Sequence, residues 1–417
     1  MTRNYAGFVS PFKPAFFAGN RAKLIEVLPA NALVILTAHR TLQQAADSGF
    51  PFWQEPSFQY FSGICEPDWR LVIDCAKRQS WLVAPSINAV LKTFDGALEA
   101  DEAKQTSGVE RVLTQRQFQR WLKTVAGTGR PVYTLLPQTA LARYMRLSLN
   151  PALRLLVRQL RGYGMTPLDC RQQIARLRAI KQKPEVAALE HAITITNDAL
   201  RVVYENRANY KFEYECEATF LHEFRRRGAE GATWTPIIAA GKDACTLHHV
   251  KNMSPIHKKD WLLIDVGTRV CGYTADISRT FPVTTTTAWQ REIFNGVQFV
   301  HDEAIKLIHP GIKPTELVQQ VDVLMMDTLK QLGLIKRRSQ KELRKRFPHA
   351  VGHGLGLDAH ESLGRFETFQ EGMVLTVEPG IYVEEKGFGV RTENDILITK
   401  NGARNLSGGL PDNLWQL

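Results

Sequence analysis

The stretch Trp261 to Pro282, WLLIDVGTRVCGYTADISRTFP, sets two carboxylates inside sequence that otherwise reads as buried strand. Asp265 follows Trp261-Leu262-Leu263-Ile264 and precedes Val266-Gly267; Asp276 follows Gly272-Tyr273-Thr274-Ala275. Ionised carboxylates are rarely buried alone, because leaving water is costly without a compensating partner. Gly267 and Gly272 bracket a predicted turn. The runs on either side then read as a hairpin-like pair of strands that can bring both acids to one place.

Three further stretches supply partners: His349 to His360 (HAVGHGLGLDAH), Glu378 in MVLTVEPG and Glu393 in GVRTEND. Glu378 repeats the anomaly, an acid at the end of the apolar run Met373 to Val377. Acids gathered this closely repel one another unless a cation neutralises them, so the pattern points to shared metal.

The remainder of the chain bounds the answer. At 417 residues, two domains are expected. A composition of 44% hydrophobic and 23% charged residues excludes wholesale disorder. The net charge of +11 raises nucleic acid as a partner. The excess sits in short runs, Arg225-Arg226-Arg227 and Lys336 through Arg346, with no recognition module and no interleaved aromatics. These read as solvated faces, so no nucleic-acid partner is expected. No apolar run reaches the ~18 residues that span a bilayer, and no signal peptide is read at the start. Six cysteines without a CxxC pair fit a reducing cytoplasm.

Residues 1–170 read as an α/β domain. Strands are predicted at Ala32 to Thr37, Phe58 to Ile64, Leu71 to Cys75, Trp81 to Ala84 and Val132 to Leu136. Helices are predicted over Val109 to Leu122 and Leu153 to Leu160. The aromatic cluster around Trp53 is read as core, with a contact to a second subunit as the alternative. A second domain, 171–417, opens on helices with Pro184 and Glu185 in a first turn and with Cys216, Phe220 and Phe224 on one face. A strand is expected near Pro236, and one long helical stretch from Arg291 to Leu332.

His349 and His353 stand four apart, but Ala350 replaces the glutamate that a zinc-protease helix requires, and Gly352, Gly354 and Gly356 oppose a helix. Those glycines read instead as close backbone approach at a crowded site. Asp265, Asp276, His353, Glu378 and Glu393 form an oxygen-rich set with one nitrogen donor. Such a set suits Mn²⁺ above all, with Zn²⁺, Co²⁺ or Fe²⁺ as alternatives. So many carboxylates suit two ions with bridging ligands, which can hold a water as hydroxide at neutral pH and polarise a carbonyl.

WLLIDVGTRVCGYTADISRTFPV, HAVGHGLGLDAHE, EGMVLTVEPGIYV and GVRTENDILIT together resemble the signature segments of aminopeptidase P, the Xaa-Pro aminopeptidases in the proline-specific branch of the methionine aminopeptidase superfamily. FWQEPSFQYFSGICEPDW is more weakly similar to the opening domain of that family. The resemblance implies a catalytic domain of α+β "pita-bread" fold, a curved, mostly antiparallel sheet backed by helices. It implies that Asp265 chelates one metal, that Asp276 and Glu393 bridge both, and that His353 and Glu378 bind the second. Glu378 would also shuttle a proton. His248 would contact substrate, His360 would donate to the developing oxyanion, and His349 and Arg391 would line the proline pocket. For Arg391 the alternative is a salt bridge orienting a ligand. His249 reads as a plain surface or strand histidine, and Tyr273 and Tyr382 as packing.

The expected activity is removal of the first residue from peptides with proline second. The imide bond before proline lacks an N–H, and a metal pair that activates water does not need that donor. A Xaa-Pro dipeptidase shares every ligand. A catalytically dead peptide-binding relative would have lost ligands, and none is missing here. The family implies a homodimer or homotetramer.

Overall fold

A computed structural model of the chain describes residues 4–5 and 8–413. The chain folds as two compact units, with the division between Arg178 and Ala179. No helix among the described residues is long and apolar enough to cross a membrane, and no two cysteines form a disulfide.

The first unit is built on a six-stranded mixed sheet in the order Leu168–Asp169, Val132–Thr134, Leu33–Thr37, Arg70–Asp74, Gln79–Val83, Arg111–Leu113. The two pairs made by Arg70–Asp74 are antiparallel and the other three are parallel. Every residue of Leu33–Thr37 is buried, as its unbroken apolar run requires of a strand covered on both faces. The Gln115–Ala126 helix starts at a capping box of Thr114 and Gln117 and turns Phe118 and Leu122 onto Leu33, Ile35, Val72 and Trp81.

Two predictions fail here. Phe58 to Ile64 is not a strand: Pro56–Ser62 is a helix, capped by Glu55, which accepts from the Phe58 N–H at 2.6 Å, and ended by Gly63 at φ 70. All of its residues after Pro56 are buried, so it lacks the polar face that marks a helix in sequence. Val109 to Leu122 divides into the Arg111–Leu113 strand and the following helix, because the Thr114 cap starts a new element.

The second unit opens on the Lys183–Asn206 and Glu213–Arg226 helices. The long helical stretch is two helices, Ala288–Leu307 and Pro314–Gln331. Pro310 and Gly311 (φ +96) break it, and Pro314 restarts it at a position where a missing N–H costs nothing. Both helices pack one shared core with Leu375, Val377, Ile381, Val390 and Ile396.

Those apolar residues belong to antiparallel strands. Ile237–Ala240, Trp261–Val266 and Ile277–Pro282 form one sheet; Val374–Val377, Asn394–Thr399 and Gly402–Asn405 form another; Gly380–Val383 pairs with Phe388–Arg391. The paired runs read from the opening stretch are present, with Asp265 opposite Ser278. Between them lies a short ribbon, Arg269–Val270 with Tyr273–Thr274, closed by Cys271 (φ 53) and Gly272 (φ 83). Positive φ at both turn positions matches the twist of the flanking strands.

Candidate metal centre

The strand ends deliver the acids to one place. Asp265 lies near the end of Trp261–Val266, Glu378 follows Val374–Val377, and Glu393 precedes Asn394–Thr399. The Glu393 N–H donates to the Ser278 carbonyl at 3.1 Å, which locks one strand set to the other. The His353 segment is held in the same way: the Glu378 N–H reaches the Val351 carbonyl and the Thr376 N–H the His353 carbonyl, both at 2.8 Å. A Cβ on Gly352 would stand 2.0 Å from the Thr376 carbonyl oxygen, so only glycine permits that approach.

His353 donates from Nδ1 to the Gly354 carbonyl at 3.1 Å, which leaves Nε2 as a lone pair facing Asp276 Oδ2 and Glu378 Oε1, each 3.5 Å away. Asp276, His353 and Glu393 each offer a ligand atom within 4.8 Å of the others. Asp276 and Glu393 are 4% and 2% exposed, so little water screens their charges.

The electrostatics are those of a cation site. Burial, then Glu393, Asp265, Asp395 and Glu378, raise the Asp276 carboxyl well above its ordinary range. Burial and then Glu393 do the same to Glu378. Burial and Asp265 push Glu393 up to about 7, against the pull of Arg391 and Ser278. Burial and His360 lower His353 to about 4, so its ring is neutral at pH 7, the state that ligates metal. Asp265 Oδ1 is buried with no hydrogen-bond partner among the described residues. Neutral imidazole, clustered acids and an orphaned carboxylate oxygen fit a divalent cation site.

The stability of the metal-free protein depends on pH through these buried groups. The Glu393 carboxyl rises from 4.5 to about 7 on folding, so between those values the folded state holds the extra proton and stability falls as pH rises. His349 and His353, lowered to about 3 and about 4, work in the opposite sense below their ordinary 6.5. Metal-free Glu393→Gln, which removes this carboxyl and relieves Asp276 and Glu378 of its charge, should gain on the metal-free parent in urea unfolding as pH rises from 4.5 to about 7. A gap that stays constant with pH would refute this account of Glu393.

A hydrogen-bonded frame surrounds the acids. Arg391 donates from Nη2 to Asp265 Oδ2 at 2.6 Å, from Nε to Ser278 Oγ at 2.9 Å and from Nη1 to the Tyr382 hydroxyl oxygen at 2.9 Å. Ser278 donates onward to Glu393 Oε2 at 2.7 Å. His349 donates from Nδ1 to the Ala350 carbonyl at 2.8 Å and accepts at Nε2 from the Tyr382 hydroxyl at 2.9 Å. Burial pushes Tyr382 up to about 12, so its proton stays. The His360 ring lies on His353 with centroids 4.1 Å apart. His248 sits exposed on the turn after Gly241–Cys245, an electrostatic neighbour of Asp265, His349 and His360.

Several contributors escaped the reading of the sequence. Ser278 and Tyr382 bond directly within the frame. The available signal was Ser278 two places after Asp276, a polar residue on the same strand face. Tyr273 does more than pack: its hydroxyl donates to buried Glu185 at 2.9 Å. His249 is no plain surface histidine, since its Nε2 donates at 2.9 Å to Glu213, a fully buried carboxylate. Lys181 pairs with Glu361 at 2.5 Å, with both side chains buried.

Comparison with known proteins agrees with this geometry. The family model for metallopeptidase family M24 matches residues 187–400, and that for the aminopeptidase P N-terminal domain matches residues 17–133. The chain is 31% identical to the Xaa-Pro aminopeptidase of Escherichia coli over 416 residues, 94% of each protein. It is 30% identical to human Xaa-Pro aminopeptidase 3, over 95% of this chain and 83% of that one. The structure of E. coli aminopeptidase P with the inhibitor Pro-Leu matches at TM-score 0.84 and 30% identity, covering 97% of both chains. Proline aminopeptidase P II of Yersinia pestis matches at TM-score 0.85 and 27% identity, covering 97% and 98%. With the match spanning the acids and histidines of the site and near-full-length identity above, the chain belongs to metallopeptidase family M24, in its aminopeptidase P branch, and is a metal-dependent aminopeptidase.

Proposed function

We propose that this chain removes the N-terminal residue from peptides whose second residue is proline. One observation supports the reading: His353 Nε2 faces Asp276 and Glu378 at 3.5 Å, Glu393 offers a ligand atom to the same group, and Asp265 keeps a buried carboxylate oxygen unsatisfied. In this reading Asp265 holds one cation, Asp276 and Glu393 are shared, and His353 and Glu378 hold the second, with Mn²⁺ the preferred metal. When bound, such a pair supplies charge that activates water at neutral pH and polarises a carbonyl.

The protein's own groups do the rest. Glu378 would hold and pass on a proton at its carboxylate, which lies 3.5 Å from His353 Nε2 and from His349 Nδ1. His360 donates a hydrogen bond toward the oxygen that gains charge. His248 contacts the substrate backbone, and His349 and Arg391, joined through Tyr382, border the space for proline. Arg391 also holds Asp265 and, through Ser278, Glu393 in orientation. A cytoplasmic homodimer or homotetramer is the proposed setting.

The test strips metal by chelation, restores Mn²⁺, Zn²⁺, Co²⁺ or Fe²⁺ singly, and measures hydrolysis of Xaa-Pro-Yaa and Xaa-Pro peptides. Activity lost on chelation, restored best by Mn²⁺ and higher on Xaa-Pro-Yaa is expected. Preference for Xaa-Pro would make the chain a dipeptidase; activity that survives metal removal would reject the reading.

A further inference from the structure

Glu213, the first residue of its helix, is fully buried. Its Oε1 accepts from the Ala240 N–H at 2.9 Å. Its Oε2 accepts from the Ser254 N–H at 3.0 Å and from His249 Nε2 at 2.9 Å. The Glu213 N–H returns a bond to the Ser254 carbonyl at 3.1 Å. Ala240 and Ser254 are the two ends of the loop that carries His248, and His249 is the next residue along. One carboxylate thus binds that loop at both ends and beside the residue of interest. Asn252, buried at φ 50, adds a bond to the Pro236 carbonyl at 2.8 Å.

We propose that Glu213 and His249 are positioning residues that set the placement of His248 against the substrate. This rests on the reading of His248 as a substrate contact. His248 itself is exposed on a turn, and neighbouring side chains do not enclose it. Its position is therefore set by the backbone of Leu247 to His249. Leu247 packs partly against the apolar cluster of Ile237 and Leu263, and the polar side chain of that stretch driven into the protein is His249, 11% exposed. Within the cluster of Glu213, Asp243 and His249, the Nε2–Oε2 contact of 2.9 Å is a hydrogen bond that uses the nitrogen, and Asp243 stands back at 3.9 Å.

The experiment combines His249→Ala, His249→Gln, His248→Ala and the His248/His249 double alanine variant in the metal-loaded protein, with kcat/KM on a Xaa-Pro-Yaa peptide and amide hydrogen exchange over residues 246–252. Displacement of a contact residue by about an ångström can cost on the order of 10²-fold, so a loss of roughly tenfold is expected for His249→Ala. His249→Gln keeps a donor and should stay close to the parent. The double variant should be no worse than His248→Ala, because His249 acts only through its neighbour. Additive losses, or parental activity in His249→Ala with unchanged exchange, would overturn the proposal. If the parent fails to cleave prolyl peptides, the functional reading falls separately. Loop exchange then decides alone: faster exchange in His249→Ala upholds the clamp and unchanged exchange rejects it.

Discussion

Asp276→Ala should reduce turnover of Xaa-Pro-Yaa peptides by on the order of 10³-fold or more, since charge stabilisation of several kcal/mol is lost with a shared ligand. The fold should survive. Asp276 is buried among Glu393, Asp265, Asp395 and Glu378, and ionising it in the metal-free protein costs stability, as its raised carboxyl shows. Its removal should therefore leave the metal-free protein at pH 7 no less stable than the parent. His353→Ala should show the same loss of turnover without that relief, because the imidazole it removes is already neutral. Kinetics, metal content and thermal unfolding of both variants check this. An active Asp276→Ala, or a metal-free form that unfolds more readily than its parent, would mean that these acids do not form a cation site.

Lys181→Met should destabilise the protein by about 3–5 kcal/mol, the cost of leaving a buried charge without the opposite charge that faced it. Lys181 Nζ and Glu361 Oε2 are 2.5 Å apart, with side chains 1% and 4% exposed. Glu361 is packed tightly: a Cβ on Gly356 would stand 1.9 Å from its Oε2, and its N–H donates to the Gly354 carbonyl at 2.8 Å. That bridge folds the segment back on itself and lays His360 over His353. Urea unfolding of the metal-loaded protein measures the loss. Removing both charges in Lys181→Met with Glu361→Leu should recover most of it, because an apolar pair of similar volume needs no compensation. A loss under about 1 kcal/mol for Lys181→Met would show that the pair behaves as an exposed one.

The acids at the ends of apolar runs were visible without coordinates because burying a carboxylate is anomalous, and an anomaly repeated at Asp265, Asp276, Glu378 and Glu393 demands one cause. The close approach read from the glycines was visible because no other residue leaves room for backbone beside backbone. The helix at Pro56–Ser62 was not visible. Its aromatic run has strand composition, and burial on every side removed the polar face that would have revealed a helical period. The break between Leu307 and Pro314 was legible in Pro310 and Gly311, but the apolar periodicity on both sides belongs to one core and masked it.

The kinds of donor, their order along the chain and the pairing of the strand that carries Asp265 with the one that Asp276 precedes were determined by the sequence itself, through local patterning and the cost of desolvating charge. The tertiary structure alone decided which polar atoms complete the site. Arg391 reaches Asp265 and Ser278, Lys181 reaches Glu361, and Glu213 reaches His249 across long stretches of chain. Hydrogen bonds depend on ångström-scale approach in three dimensions, and no residue pattern along one dimension encodes that approach.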